Sequence, residues 1–218
     1  KWTDGTTKGT AMTALTEELV ERNRHLLGPD DDYWVTQRIS RGVARYDGEE
    51  PEYEGPTVMI ETVPLPFKSR AAYYRDGIRV ATPSVRRVPP EVLSPRAKTV
   101  NYLNMTMGDL EVKARDPGAW GVLLDVNGNL CEGIGANIFL VKNGQVLTPK
   151  EDYILPGVSR RCVMDLCGEL GLPLVEKDLA LHDAYIADEC FLTSTSLCMC
   201  PVVQVNGAKV GDGKVPGP

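Results

Sequence analysis

Histidine is nearly missing from this sequence: its 218 residues hold two, His25 and His182, beside six cysteines. The cysteines do not group as metal ligands do. Cys198 and Cys200 form a C-x-C with no neighbouring histidine or second pair, Cys162 and Cys167 fall in a helical pattern, and Cys131 and Cys190 lie in strand-like runs. Tetrahedral zinc needs four clustered thiolate or imidazole ligands, so no metal site is expected. The cysteines are too sparse for a disulfide scaffold, and buried reduced thiols are the expectation. No apolar run approaches the roughly 20 residues of a membrane helix. Lys1-Trp2-Thr3-Asp4 has no signal-peptide core, so the chain reads as soluble and cytoplasmic, with no membrane partner. An excess of basic charge is missing too: 24 Lys and Arg against 30 Asp and Glu leave a formal charge of −6, which argues against nucleic acid as the main partner.

What is present is an ordinary globular mix, 42% apolar and 25% charged, long enough for one large domain or two small ones. Residues 11–26 place Met12, Leu15, Leu19 and Leu26 at helical spacing. Strands are expected at Tyr33–Ser40 and Thr57–Leu65, with the acidic stretch Asp47 to Pro51 as a loop between them. Phe67–Asp76 loses the apolar pattern and carries Lys68, Arg70 and Arg75, which suits a connection between domains, so a boundary is set near residue 70. Beyond it, Leu103, Met107 and Leu110 predict a helix beginning at or just after Lys98. Two hairpins come next: Trp120–Leu124 with Leu130–Glu132, and Asn137–Val141 with Gln145–Thr148. Each carries an Asn-Gly in its connecting stretch, a strong hairpin signal because type I′ turns need positive φ at both central residues. A helix over about 158–170 uses Val158, Cys162, Val163, Leu166 and Leu170 as its apolar positions and ends at Gly171. A short helix at His182–Asp188, a strand at Glu189–Leu192 and a last hairpin at Asn206-Gly207 complete an α/β or α+β pattern.

Four features could carry chemistry, and each has a plain structural reading beside it. Lys98 stands at a helix start next to apolar turns, where a lysine can become a nucleophilic amine, or it is simply solvated. Glu132 ends a hairpin strand beside Gly133 and Gly135, where a planar ligand could approach the backbone and pair with the carboxylate, or it is an exposed strand-end glutamate. Gly157-Val158-Ser159 enters a helix whose free N–H groups and partial positive charge suit a phosphate, or Ser159 is only a cap. Thr193-Ser194-Thr195-Ser196 could close the other side of a phosphate cup, or it is a polar turn.

The order of these segments is more specific than any one of them. KTVNYL at Lys98, LLDVNGNLCEGIGANIFLVKNGQVLTP, LPGVSR, DECFLTSTS and PVVQVNG together resemble the fold-type IV (class IV) pyridoxal-phosphate aminotransferases. That family includes the branched-chain and D-amino-acid aminotransferases, the (R)-amine transaminases and aminodeoxychorismate lyase. The resemblance runs from about residue 10 to the C-terminus. It implies a small α/β domain over 1–70 and, over 71–218, a larger cofactor-binding domain built on a barrel-like sheet with surrounding helices. It implies pyridoxal 5′-phosphate as cofactor, with Lys98 as the Schiff-base lysine and proton shuttle and Glu132 as partner of the pyridine nitrogen. Leu155 matches the residue that packs on the ring, Val158 and Ser159 the phosphate turn, and Ser194 and Thr195 its second wall. Tyr102 matches a tyrosine near the cofactor.

For the substrate, Arg45 lies in a stretch resembling the strand and loop that carry a carboxylate-binding arginine, or it is solvated. Gly135 and Ala136 leave space beside Glu132. The implied reaction moves an amino group from a branched-chain-like amino acid to a 2-oxo acid, in a homodimer or higher oligomer. The alternatives are D-amino-acid or (R)-amine transamination, an aminodeoxychorismate lyase, and a non-catalytic homologue. Relatives carry a phosphate-clamping arginine and an aromatic residue before the first helix, and a final helix beyond Gly211, so the resemblance also implies a fragment shortened at both ends.

Overall fold

The computed structural model describes residues 5–217, with side chains from Ala11 onward. Lys1-Trp2-Thr3-Asp4, read above for a signal peptide, lie outside them. Internal contacts divide the chain into two units, Lys1–Lys68 and Ser69–Pro218.

In the first unit, helix α1 (Gly5–Asn23) begins upstream of the expected residue 11 and gives way to a 3-10 turn at Arg24–Leu26. Strand β1 (Tyr33–Ser40) matches its expected span, while β2 (Val43–Tyr46) and β3 (Pro51–Glu54) form a hairpin around the acidic loop that the apolar pattern did not show. Strand β4 (Thr57–Pro64) pairs antiparallel with β1 over eight residues, from Tyr33 opposite Pro64 to Ser40 opposite Thr57. Polar contacts tie α1 to β1: the Tyr33 hydroxyl donates to the Asn23 carbonyl at 2.6 Å and Gln37 Nε2 to Thr16 Oγ1 at 2.7 Å.

The expected connection at Phe67–Asp76 is instead a helix, α2. Its low apolar content is explained by polar docking rather than by a loop: Arg70 donates to the Ser196 carbonyl and the Tyr74 hydroxyl to the Leu197 carbonyl, both at 2.6 Å. Tyr73 adds an edge-on contact with Trp120, ring centroids 6.0 Å apart.

The remaining elements are β5 (Ile78–Ala81), α3 (Leu103–Arg115), β6 (Ala119–Leu124), β7 (Leu130–Gly133), β8 (Ala136–Lys142), β9 (Gln145–Thr148), α4 (Val158–Glu169), β10 (Leu174–Glu176), α5 (Leu181–Tyr185), β11 (Glu189–Ser194), β12 (Cys198–Val205) and β13 (Ala208–Lys209). The strands form one mixed sheet in the order β10-β9-β8-β11-β12-β5-β6-β7, with β13 on β12, and a further pairing of β7 with β8 closes six of them into a barrel. The hairpins make antiparallel pairs, while β5 lies parallel to both β12 and β6. At Asn143-Gly144 and Asn206-Gly207 both residues have positive φ, 51° and 73°, 49° and 85°, as type I′ turns require. At Asn127-Gly128 only the glycine does. There Asp125 Oδ1 accepts the N–H groups of Asn127 and Asn129 and shapes a longer loop.

Strand alternation sorts β8 between two cores. Ala136, Ile138 and Leu140 join Ile78, Val122, Leu192 and Val202 in the larger cluster inside the barrel, whereas Phe139 faces out into a smaller cluster with Val146, Val163 and Cys167. Two helix faces differ from the expectation. In α3 the buried residues are Met105, Gly108 and Val112, and Leu103, Met107 and Leu110 are exposed. In α4 the buried residues are Arg160, Val163 and Cys167, and Val158, Cys162, Leu166 and Leu170 are exposed. Gly108 decides the first case, because a Cβ there would lie 3.1 Å from Pro83 and 3.3 Å from Leu123, so the helix seats its glycine face on the sheet. Arg160 decides the second, since its guanidinium is buried against the Pro149 carbonyl at 3.1 Å, Glu151 at 3.2 Å and Glu176 at 2.5 Å. Cysteines 131, 167, 190 and 200 are buried, but Cys162 and Cys198 are exposed, against the expectation for those two.

Phe139 stacks on Phe191 with centroids 5.0 Å apart and rings within 5° of parallel. Phe139→Ala is expected to destabilise the chain by about 3–5 kcal/mol through the lost transfer energy and the cavity left under α4. Guanidinium denaturation followed by circular dichroism measures it, and a loss below about 1 kcal/mol would show that α4 collapses onto the gap.

Candidate active site

The site starts from an irregularity in β7. Val122 of β6 pairs with Gly133 and Leu124 with Leu130, so three steps along β7 are matched to two along β6. Such a bulge inserts one residue and re-aims its neighbours. Leu130 consequently faces the barrel interior while Glu132, directly opposite Asn137 of β8, faces the outer side beside α4. Asn137 is in turn opposite Thr193 of β11, so Glu132, Asn137 and Thr193 form a polar row across three strands.

A cavity of about 250 Å³ opens beside this row. Lys98, Tyr102, Glu132, Gly135, Ala136, Leu155, Val158, Ser159, Ser194 and Thr195, which are all but one of the residues given a role with the family resemblance, line it. The exception, Arg45, belongs to the first unit, where its guanidinium pairs with Glu54 at 2.8 Å across the β2–β3 hairpin.

Glu132 is buried, and two donors hold it: Arg87 Nε reaches Oε1 at 3.0 Å and the Leu155 N–H reaches Oε2 at 2.9 Å. Burial nevertheless pushes its carboxyl up to about 7, against the lowering effects of the Leu155 N–H, Arg87 and the more distant Lys98. Lys98 itself lies in the exposed segment before α3, not in a helix, and among the described residues no hydrogen bond or ion pair engages its amine. Backbone geometry accounts for the later helix start. Pro95 and the turns on either side of it carry the chain past the cavity, and α3 begins only at Leu103, with Tyr102 as its N-cap.

Helix α4 points its N-terminus at the same space. Gly157 is its N-cap and no side chain caps it, so Ser159 does not act as the cap. The Ser194 hydroxyl accepts the Leu197 N–H at 3.1 Å and keeps its own proton to donate. Thr193 is fully buried and its Oγ1 has no partner among the described residues.

Two residues of the site escape sequence reasoning. Arg87 is one of two adjacent arginines, and nothing in their order tells the buried one from its neighbour. Asn137 is legible in principle, because a two-residue turn at Ile134-Gly135 forces it opposite Glu132. Thr193 belongs to the cluster read as one side of a phosphate cup, but it lies buried within β11 instead of in a turn after the strand.

Comparisons with known proteins give the family. The family model of class IV amino-transferases matches residues 6–205. This chain belongs to the class IV aminotransferases. It is 36% identical over 185 residues to a putative branched-chain-amino-acid aminotransferase of Methanocaldococcus jannaschii, covering 84% of the chain and 62% of that relative's length. The chain thus spans less than two thirds of that curated relative. Its structure matches the Escherichia coli branched-chain amino acid aminotransferase with TM-score 0.82 and 29% identity, covering 96% of this chain and 67% of that one. The branched-chain amino acid aminotransferase of T.th., solved with pyridoxamine 5′-phosphate, matches with TM-score 0.79 and 26% identity over 91% of this chain and 63% of that one.

The residues fit such a cofactor. A buried carboxylate held in place by two donors, a helix N-terminus without a side-chain cap, and a lysine amine and a buried hydroxyl that make no hydrogen bond among the described residues suit, in turn, a basic ring nitrogen, a phosphate, the group at the ring's 4′ carbon and a further polar group.

The raised carboxyl sets a pH dependence for the ligand-free chain. Glu132 moves from 4.5 to about 7 on folding, so between those values the folded chain binds more protons than the unfolded one. Its contribution to stability is complete below the unfolded value and is lost as pH rises through the folded one. From about pH 5 to about pH 8 the urea midpoint of the parent chain is therefore expected to fall relative to that of Glu132→Gln. Parallel curves would mean that Arg87 and the Leu155 N–H outweigh burial.

Proposed function

We propose that this chain is the catalytic part of a pyridoxal 5′-phosphate-dependent transaminase that moves an amino group from a branched-chain-like amino acid to a 2-oxo acid. The observation that carries the proposal is the meeting, in one cavity, of the unengaged Lys98 amine, the Arg87-held Glu132 carboxylate and the uncapped start of α4. The branched-chain names of its relatives support the substrate class, and the pyridoxamine 5′-phosphate of the T.th. structure supports the cofactor. On this reading unit Ser69–Pro218 is the cofactor-binding domain and the first unit the small domain.

When bound, pyridoxal phosphate supplies an aldehyde that takes up the donor's amino group and a protonated ring that accepts electron density from the substrate carbon. The chain's own residues do the rest. Glu132 holds the proton on the ring nitrogen, because Arg87 and the Leu155 N–H keep its carboxylate in place and give the ionised form its partners. The N–H groups at the start of α4, with the hydroxyls of Ser159, Ser194 and Thr195, would hold the phosphate. Leu155 and Tyr102, which line the same cavity, would hold the ring. Lys98 Nζ serves first as the anchoring amine and then as the base that moves a proton at the substrate carbon. Gly135 and Ala136 leave room for the substrate side chain. For the substrate carboxylate the candidate from the sequence is Arg45. A cytoplasmic location and a homodimeric or larger assembly go with this proposal.

Borohydride reduction of the chain after incubation with pyridoxal phosphate is expected to leave one phosphopyridoxyl group, on Lys98, read by peptide mass mapping. Lys98→Ala is expected to lose that adduct and to lower transamination by about 10²–10⁴-fold, the usual worth of a positioned general base. Adducts scattered over surface lysines, or an unchanged rate in Lys98→Ala, would refute the assignment. Pyruvate released without consumption of an amino acceptor would point to lyase chemistry instead.

A further inference from the structure

Asn137, the middle member of the polar row across β7, β8 and β11, has no task in the reaction above. Asn137 is 5% exposed and directly opposite Glu132, so the two side chains rise from the same face about 5 Å apart. Both reach the same residue. Glu132 Oε2 accepts the Leu155 N–H at 2.9 Å, and Asn137 Nδ2 donates to the Leu155 carbonyl, also at 2.9 Å. Leu155 is therefore gripped by both of its peptide polar groups from two adjacent strands.

The grip matters because Leu155 opens the strap that enters α4. Pro156 and the extended Gly157, with φ −67° and ψ 147°, lead straight into the helix at Val158. Gly157 also passes against the same carboxamide: a Cβ built there would lie 2.3 Å from Asn137 Oδ1. On its other side the first turn of α4 is held by Arg160, whose guanidinium reaches the Pro149 carbonyl at 3.1 Å and the carboxylates of Glu151 and Glu176. Asn137 is the side chain through which β8 itself holds the strap and the helix start.

We infer that Asn137 is a positioning residue that sets where the N-terminus of α4 stands relative to the Glu132 carboxylate, and so whether one ligand can engage both. The inference rests on the cofactor reading above, in which the carboxylate takes the ring nitrogen and the helix start takes the phosphate. It adds that the two anchor points are calibrated through a single clamped residue, Leu155, and that Gly157 is required because a side chain would push the strap off Asn137. A carboxamide that merely satisfied the Leu155 carbonyl would contribute to stability alone and would not discriminate between ligands.

The discriminating readout is the preference for a phosphorylated over an unphosphorylated ligand. Dissociation constants for pyridoxal phosphate and for pyridoxal, measured by absorbance titration of the full chain, give that preference in the parent, in Asn137→Ala and in Gly157→Ala. The first substitution removes the grip and the second wedges the strap away while leaving the carboxamide in place. In both, the preference is expected to fall about tenfold or more, the scale of losing one charge-assisted anchor, while pyridoxal affinity changes less than about threefold. An unchanged preference in a folded Asn137→Ala, including the case where both affinities drop together, overturns the inference and leaves the cofactor reading standing. If that variant does not fold, Gly157→Ala decides by the same criterion. A parent chain that binds pyridoxal phosphate no better than pyridoxal overturns the phosphate assignment and this inference with it.

Discussion

The bulge in β7 is the constraint on which the rest of the site depends. Three steps of β7 against two of β6 let Leu130 stay in the barrel core while Glu132 turns out of it. Without that extra residue the period-two alternation would carry Glu132 inward with Leu130, and a carboxylate among Ile138, Leu140 and Leu192 has no partner. The same strand closes the barrel by pairing with β8, and so barrel closure and the placing of the carboxylate are one event. Bulges beside active sites commonly serve to re-aim a side chain in this way.

Once Glu132 faces outward, burial and charge act against each other. Its carboxyl is pushed up to about 7 although Arg87 and the Leu155 N–H both favour the ionised form. A buried ion pair of this kind contributes little to stability once desolvation is counted, and its presence is better explained by what it orients. Here it orients an acceptor toward a cavity that also receives a lysine amine and a helix N-terminus. A positive ligand group at the carboxylate would complete what Arg87 leaves unfinished. The phosphate end obeys the same logic, with free N–H groups and hydroxyls whose protons are not committed.

The two cores support this arrangement from opposite sides of the sheet. The larger fills the barrel; the smaller, around Phe139, Val163 and Cys167, seats α4 on the outer face. Polar fixtures then aim the helix. Arg160 is fully enclosed and ties the first turn of α4 to the Pro149 carbonyl and two glutamates, while Asn137 and Glu132 tie the strap before it to the strands. The helix buries a guanidinium where its amphipathic pattern offers Val158, Leu166 and Leu170, because an arginine with three acceptors in place positions a helix more sharply than an aliphatic face does.

Local chemistry was readable without coordinates. Strands β1 and β9, the Asn143-Gly144 and Asn206-Gly207 turns and the Gly171 helix stop arise from short-range backbone preference, and the order of Lys98, Glu132, Leu155, Ser159 and Thr195 along the chain already pointed to the family. Three features needed tertiary structure. The buried faces of α3 and α4 depended on Gly108 and Arg160 meeting partners far away in sequence, not on periodicity. The α2 helix, nearly without an apolar stripe, exists through hydrogen bonds to Ser196 and Leu197, more than a hundred residues on. Arg87 became a site residue only when the tertiary fold set it against Glu132, and Asn137 only when the strap before α4 brought Leu155 to it. Sequence by itself determines what each backbone segment prefers and which reactive groups the chain carries; only the packed sheet decides which of those groups meet, because a one-residue bulge reverses the face to which a side chain points.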